Sequence, residues 1–371
     1  MTESLFAGID VGSLTAKAVI LDDRRVVAHA VAKSRAHPGD SARRVMAAAL
    51  GDARCELDAL DAVVGTGYLG RFHAQKYAAM DGVELVAVYD VDPDRAAAVA
   101  QETGCETVAT LADLVGRVDA ASVVTPNVHH FDSARPLLEA GIHVMLEKPL
   151  TTTLAQADEL IALAADKGVV LQSGHLERFN PAVQTMIERA DSPLFIEAHR
   201  LSGFKNRATD VDVVLDLMIH DIDIVLKVVG EEPAEIRASG FPVLTPNVDI
   251  ANARLSFPGG CTANLTASRV SLKDMRKFRL FAPGAYISAD CATRENLIVK
   301  GQVLPGQPPA ILPEPLSHGP TDNLLEELKA FVAAVRGEAP VPVTGAEGRA
   351  ALAVAIEIND TIAEQRARLG I

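Results

Sequence analysis

The chain has 371 residues, of which 49% are apolar and 23% charged, and its formal net charge is −14. That length accommodates two or three domains with separate cores, and the composition leaves little room for extended disorder. The acidic balance excludes a nucleic-acid partner, which needs a clustered basic surface, and no run approaches the roughly eighteen uninterrupted apolar residues of a membrane span. Cys55, Cys105, Cys261 and Cys291 lie far apart without zinc-ligand spacing and read as reduced thiols, and the start "MTESLFAGIDVG" lacks the regions of a secretion signal. A folded cytoplasmic protein without a metal is expected.

Residues 5–33 hold three short β-branched runs separated by turn signals at Gly12-Ser13 and Asp22-Asp23, which predict an antiparallel meander. "PGDSARRVMAAALGDA", from Pro38, reads as a helix capped by Asp40 or Ser41. From Asp61 the texture changes. Near-continuous apolar strands at 61–65, 83–90, 120–126, 142–148 and 169–174 alternate with helical stretches, the pattern of a doubly wound parallel sheet covered on both faces. Beyond about 194 the strands lengthen and alternate polar with apolar residues, which predicts a mostly antiparallel open sheet with one free face. A helix at 210–230, stopped by Gly230, precedes most of these strands; the Pro-rich stretch 303–320 reads as a loop, and helices at 322–336 and 345–366 pack back. The expected fold class is α/β, with an appended segment at 1–60, a dinucleotide-binding domain at 61–180 and an α/β substrate domain at 181–371.

The stretch "DAVVGTGYLGRFHAQK" (61–76) runs from an apolar strand through Gly65, Gly67, Tyr68, Leu69 and Gly70 into a helix. A glycine fingerprint in that context fits a dinucleotide pyrophosphate: Gly65 allows a tight turn, Gly67 lets backbone amides approach the anion, and Gly70 lets helix and strand pack closely. Arg71 would add charge at the phosphates. Asp90, at the end of the next strand, would accept from the adenosine ribose hydroxyls and repel a 2′-phosphate, which favours NAD over NADP; its alternative reading is a turn residue. Asp92 before Pro93 reads as a helix cap.

Three further motifs, "TPNVHH" (125–130), "EKPL" (147–150) and "DLMIHDID" (216–223), follow in order. With the fingerprint they resemble the Gfo/Idh/MocA family, which joins a Rossmann domain to an α/β substrate domain and oxidises sugar or inositol hydroxyls. The resemblance implies that Lys148 lies at the reacting hydroxyl, that His220 is its acid/base and that Asp216 orients His220. It places Glu147 beside the cofactor, Thr125, Pro126 and Asn127 along the nicotinamide and ribose, and His130 at the family's T-P-N-x-x-H histidine. Asn127 and His130 read equally well as turn and helix-start residues. Pro149 is a candidate for a cis bond.

"SGHLERFNPA", "HRLSGF", "DIANARLSF" and "TASRVSLKDMRKFRLF" resemble the branch that oxidises the 3-hydroxyl of UDP-N-acetylglucosamine in lipid A precursor synthesis. Basic residues at Arg178, Arg200, Arg207, Arg269, Arg276 and Lys277 suit a diphosphate, and Arg178, Asn180 and Arg200 are the leading candidates to bind the substrate. A free sugar or inositol is the runner-up substrate. The free sheet face suggests a homodimer or homotetramer, as the family pairs through it.

"GIDVGSLTAKAVILDD", with Asp10, Gly12, Ser13, Thr15 and Lys17, resembles the first phosphate loop of activator ATPases of 2-hydroxyacyl-CoA dehydratases. That resemblance ends at "VVGTGY" (63–68), so half a nucleotide cleft is present and ATP turnover is not expected; an ATP-responsive regulatory module is the alternative of another class. The seam falls inside the fingerprint stretch.

Overall fold

The computed structural model of the chain describes residues 6–11, 15–21, 26–33, 59–204, 211–302 and 310–370. Two compact units divide it: Met1–Leu60 with Met80–Glu84, and Asp61–Ala79 with Leu85–Ile371. In the first, β1 (Phe6–Val11), β2 (Thr15–Leu21) and β3 (Val26–Lys33) pair antiparallel in chain order, as the meander pattern predicts. The meander's turns and the helix expected from Pro38 lie outside the described residues.

Strands β4 (Ala59–Val64), β5 (Val83–Tyr89), β6 (Glu106–Thr107), β7 (Ala120–Val123), β8 (His143–Glu147) and β9 (Leu171–Gly174) form a parallel sheet in the order β6-β5-β4-β7-β8-β9. Neighbouring residues on these strands point to opposite faces, yet Ala62, Val63 and Val64 are all buried, as are Ala120 to Val123, so both faces are covered. The covering helices include α1 (Tyr68–Ala78), α2 (Pro93–Thr103), α3 (His130–Glu139) and α4 (Leu154–Lys167). Helix α2 begins as expected, with Pro93 in its first turn and Asp92 accepting from the amides of Asp94 and Arg95. Because β5 lies on one side of β4 and β7 on the other, winding reverses between β4 and β7, which opens a crevice beyond their C-terminal ends.

The second large sheet contains β10 (Phe195–Leu201), β11 (Glu235–Phe241), β12 (Ile250–Ser256), β13 (Thr262–Ser268), β14 (Met275–Ala282), β15 (Ala285–Asp290), β16 (Glu295–Gln302) and β17 (Ala310–Ser317), ordered β11-β12-β13-β10-β14-β15-β16-β17. All its pairs are antiparallel except β10 with β13. Along β10, Ile196, Ala198 and Arg200 are buried while Phe195, Glu197, His199 and Leu201 are half-buried, so one face is packed and the other open. The packed face meets α5 (Pro181–Arg189), α6 (Ile219–Val229) and α8 (Gly345–Leu369), which with α7 (Asn323–Val335) complete the described α-helices. Strand β17 is a correction, because residues 310–317 fall in the stretch read as a Pro-rich loop. Pro313 and Pro315 are tolerated because β17 is the edge strand of its sheet, where a missing amide breaks no ladder.

Helix α8 serves both sheets. Its Leu352 belongs to the core under the parallel sheet, while Ala355, Ile358 and Ile362 belong to the core of the second. Gly348 permits the close approach, since a Cβ there would stand 2.4 Å from Ser173 Oγ on β9. The chain just before the helix also joins β9, through the Ser173 amide donating to the Val343 carbonyl at 2.9 Å.

Candidate active site

At the mouth of the parallel sheet, Gly65 leaves β4 with φ +90°, and a Cβ on it would lie 2.8 Å from the Thr125 amide that follows β7. A Cβ on Gly70 would lie 1.8 Å from the Gly65 carbonyl oxygen, so the turn and the first turn of α1 are packed backbone to backbone. Gly67 is different: a Cβ there would meet nothing within 4 Å, and Gly67 caps α1 with no side-chain acceptor and no acid in its first turn. The uncapped amides therefore face open space beside a favourable dipole, a cradle that fits a pyrophosphate. Two buried oxygens at the neighbouring edge, Thr125 Oγ1 and Asn127 Oδ1, have no hydrogen-bond partner among the described residues, which suits the polar end of a nicotinamide nucleotide.

Other residues expected at the cofactor turn out to hold the loops. Asp90 Oδ2 accepts from the Thr66 amide (2.7 Å) and hydroxyl (3.0 Å), while Oδ1 accepts from the Asp92 amide (3.0 Å). Burial opposes its charge, but these bonds and Arg95, 3.7 Å away, outweigh it and hold the carboxyl below its usual range. A carboxylate has about four acceptor sites, so one on Oδ1 remains for a ribose hydroxyl. His130 is buried, its Nδ1 2.8 Å from the Pro149 carbonyl and its Nε2 2.9 Å from the Thr125 carbonyl, so it ties two loops together. Glu147 is fixed between His73 Nε2 (3.3 Å) and the Lys148 amide (3.2 Å). Arg71 pairs with Glu102 at 2.7 Å through Nε and 2.9 Å through Nη2, an exposed link between α1 and α2. Tyr68 is exposed and stacks edge-on against Phe72, and Leu69 lies beside it at the cleft.

A cleft of about 480 Å³ lies between the two sheets, lined by Tyr68, Leu69, Glu147, Lys148, Asp216, His220 and the arginines at 200, 269 and 276, among others. Lys148 follows β8, and its bond to Pro149 is cis, as anticipated. Its Nζ donates to the Asp216 carbonyl at 2.7 Å and lies 3.6 Å from the Asp216 carboxylate. Burial pulls the ammonium below the usual lysine range, opposed by Asp216 and Glu147.

His220 stands at the start of α6. Burial, reinforced by Lys148, Arg200, His175 and Arg276, drives its pKa well below the usual histidine value, so the ring is neutral at physiological pH. Its Nδ1 is buried without a hydrogen-bond partner among the described residues, and His175 approaches edge-on with ring centroids 6.4 Å apart. The expectation that Asp216 orients His220 from the same face of an α-helix is not met. Residues Val214–Met218 form a π-turn rather than a regular α-helical turn, and among the described residues the Asp216 carbonyl and carboxylate lie against Lys148.

The three residues expected to bind substrate have other partners. Arg178 binds Asp223 through Nε (2.6 Å) and Nη2 (2.7 Å) and does not line the cleft. Asn180 caps α5 by accepting from the Ala182 amide and donates to the Cys291 carbonyl. Arg200 reaches the cleft wall, but it holds Asp221 Oδ1 at 2.8 and 2.7 Å and Glu177 Oε1 at 2.8 Å. His73, His175 and Glu177 were not singled out from sequence, because each acquires meaning only from a partner distant in the chain. Arg207 lies outside the described residues.

A doubly wound sheet with a glycine cradle that also carries Lys148, joined to an α/β half that brings His220 into the same cleft, defines a nicotinamide-dependent oxidoreductase. Residues 61–175 match the model of an oxidoreductase family with an NAD-binding Rossmann fold, and residues 187–285 match the Gfo/Idh/MocA C-terminal domain. The chain belongs to the Gfo/Idh/MocA family, and its cofactor is NAD. It is 39% identical over 300 residues to a UDP-N-acetylglucosamine 3-dehydrogenase of Acidithiobacillus ferrooxidans, covering 80% of this chain and 95% of that one. A solved structure of the Acidithiobacillus ferrooxidans enzyme is 38% identical with a TM-score of 0.77, over 82% of this chain and 97% of the other. A myo-inositol 2-dehydrogenase of Thermotoga maritima is 27% identical over 82% of this chain and 96% of its own length.

Proposed function

We propose that this chain oxidises the 3-hydroxyl of UDP-N-acetylglucosamine to the 3-keto sugar, with NAD as oxidant. The observation that carries the reading is one cleft in which a neutral His220 and the Lys148 ammonium stand together beside the glycine cradle. Identity to the UDP-N-acetylglucosamine 3-dehydrogenase supports the choice of substrate.

His220 takes the hydroxyl proton, for which an uncharged imidazole is required. Lys148 leaves the Asp216 carbonyl to donate to the same hydroxyl oxygen and stabilises the charge that develops there. The Asp216 carboxylate, 3.6 Å from Nζ, favours the charged lysine. When bound, NAD supplies the acceptor for the carbon-bound hydride. Gly65 to Gly70 hold its pyrophosphate, Asp90 its adenosine ribose, and Thr125 and Asn127 its nicotinamide end, while Glu147 and His130 keep the surrounding loops in place.

NADH absorbance with UDP-N-acetylglucosamine, free N-acetylglucosamine and myo-inositol tests the reading. The nucleotide sugar should be the best substrate, and Lys148→Ala and His220→Ala should each lower kcat by about 10²–10⁴. Turnover of inositol alone moves the substrate; full activity in both variants removes the mechanism.

We also infer self-association through the open face of the second sheet, where Phe195, Phe281 and Tyr286 form an aromatic row with centroids 5.9 and 5.0 Å apart. Light scattering should give a dimer or tetramer. A cytoplasmic location accords with the free thiols of Cys105, Cys261 and Cys291 and with the absence, among the described residues, of a helix long and apolar enough to cross a membrane.

A further inference from the structure

If the substrate is a nucleotide-linked sugar, its diphosphate needs a cation with donors to spare, and the cleft-lining cations among the described residues differ sharply in what they can offer. Lys148 is engaged at the reacting end. Arg200, with a side chain 4% exposed, spends Nε and Nη2 on Asp221 and Nη1 on Glu177. Arg269 is equally buried; its Nη2 donates to the Val211 and Val248 carbonyls and its Nε lies 3.5 Å from Asp249.

Arg276 differs on each count. Its side chain is 53% exposed, and its ion-pair contact runs from Nη1 to Glu177 Oε1 at 3.6 Å, beyond hydrogen-bond length and to an oxygen that already accepts from Arg200. Its backbone is rigid: it lies on β14 directly across from Arg200 on β10, and its carbonyl accepts from the Cys291 amide at 2.8 Å. The result is a planar five-donor fork on a fixed strand at the cleft wall, loosely aimed by Glu177.

We propose that Arg276 grips the diphosphate of the substrate and thereby selects nucleotide-linked sugars over free ones, with Glu177 keeping the guanidinium on the cleft side until the anion arrives. A guanidinium matches two phosphate oxygens at once, and one still hydrated loses little on leaving a 3.6 Å contact. Glu177 does not lose its counter-charge when Arg276 moves, because Arg200 remains 2.8 Å away. This inference rests on the sugar-nucleotide reading above.

Titration calorimetry of NAD-saturated protein with UDP, alongside kinetics on UDP-N-acetylglucosamine, tests it. Charge-assisted bonds of this kind imply that Arg276→Ala weakens UDP binding and raises KM by about ten- to a hundredfold, with kcat within about twofold. Arg276→Lys should fall between, and the slow oxidation of a neutral methyl glycoside of N-acetylglucosamine should change far less than that of the nucleotide sugar. Arg254→Ala, an exposed charge loss on β12, should leave UDP affinity as in the parent protein. UDP binding and KM unaltered in Arg276→Ala overturn the proposal alone. A parent protein that neither binds UDP nor oxidises its sugar overturns the proposal together with the reading beneath it. Loss of kcat with unchanged KM overturns the recognition role as well.

Discussion

On the cofactor side of the cleft the pyrophosphate cradle runs consecutively from Gly65 to Gly70, and close backbone packing fixes its two ends; on the substrate side Lys148, Arg200, His220 and Arg276 come from separate elements, and all but His220 are held or aimed by oppositely charged or carbonyl partners. A backbone-built half has no alternative arrangement to fall back on. A half built from ion pairs distributes its charges, so which arginine meets the substrate depends on which partners the others already have.

The sharpest way to break the comparison is Gly70→Ala. Its Cβ would need the space of the Gly65 carbonyl, 1.8 Å away, and backbone cannot yield as a side chain can. NAD affinity should fall by at least about a hundredfold, measured by quenching of protein-bound NADH fluorescence. Parent-like affinity would mean that the cradle tolerates movement.

Arg178→Ala sharpens the other side. With Arg178 removed, Asp223 stays buried with its charge uncompensated, so unfolding should become easier by about 3–5 kcal/mol in urea titration, while KM for the sugar nucleotide in the folded variant stays put. A raised KM with parent stability would return Arg178 to the substrate site.

The smallest effect is in the pH profile. His220 works as a neutral base and its pKa is held well below the usual histidine value, so acid inactivation should begin below the range where an ordinary histidine titrates, near 6.5, and kcat/KM should stay flat from about pH 6 to 7. Lys148 works charged and its pKa is lowered, so the alkaline limb should start below the ordinary lysine value. A histidine-like limb at 6.5 would place a cationic imidazole in the resting cleft.

The difference between the halves also explains what was legible beforehand. The fingerprint, Lys148 and His220 could be read because they sit in short motifs whose spacing is itself the physics. The π-turn at Val214–Met218 could not, as "VLDLM" carries no glycine or proline to announce it, nor could the contact between Asp216 and Lys148, 68 residues apart in the chain. Arg178 looked like Arg276 in sequence; only Asp223, 45 residues further on, distinguishes them. Asp90 was read for the ribose, yet most of its acceptor sites go to Thr66 and Asp92 within the protein. Strand β17 was hidden because prolines count against a strand unless its edge position is known. The burial of Asp61 was equally invisible: with its pKa pushed up to about 7, it lies on the strand that leads into the fingerprint.

Helix α8 has a consequence for how the protein comes into being. On the ribosome the parallel sheet and the open sheet are both synthesised before the helix whose Leu352 enters one core and whose Ile358 enters the other. Until that helix emerges, a nascent chain can shape the glycine cradle and the arginine wall separately, but the clasp between them arrives last.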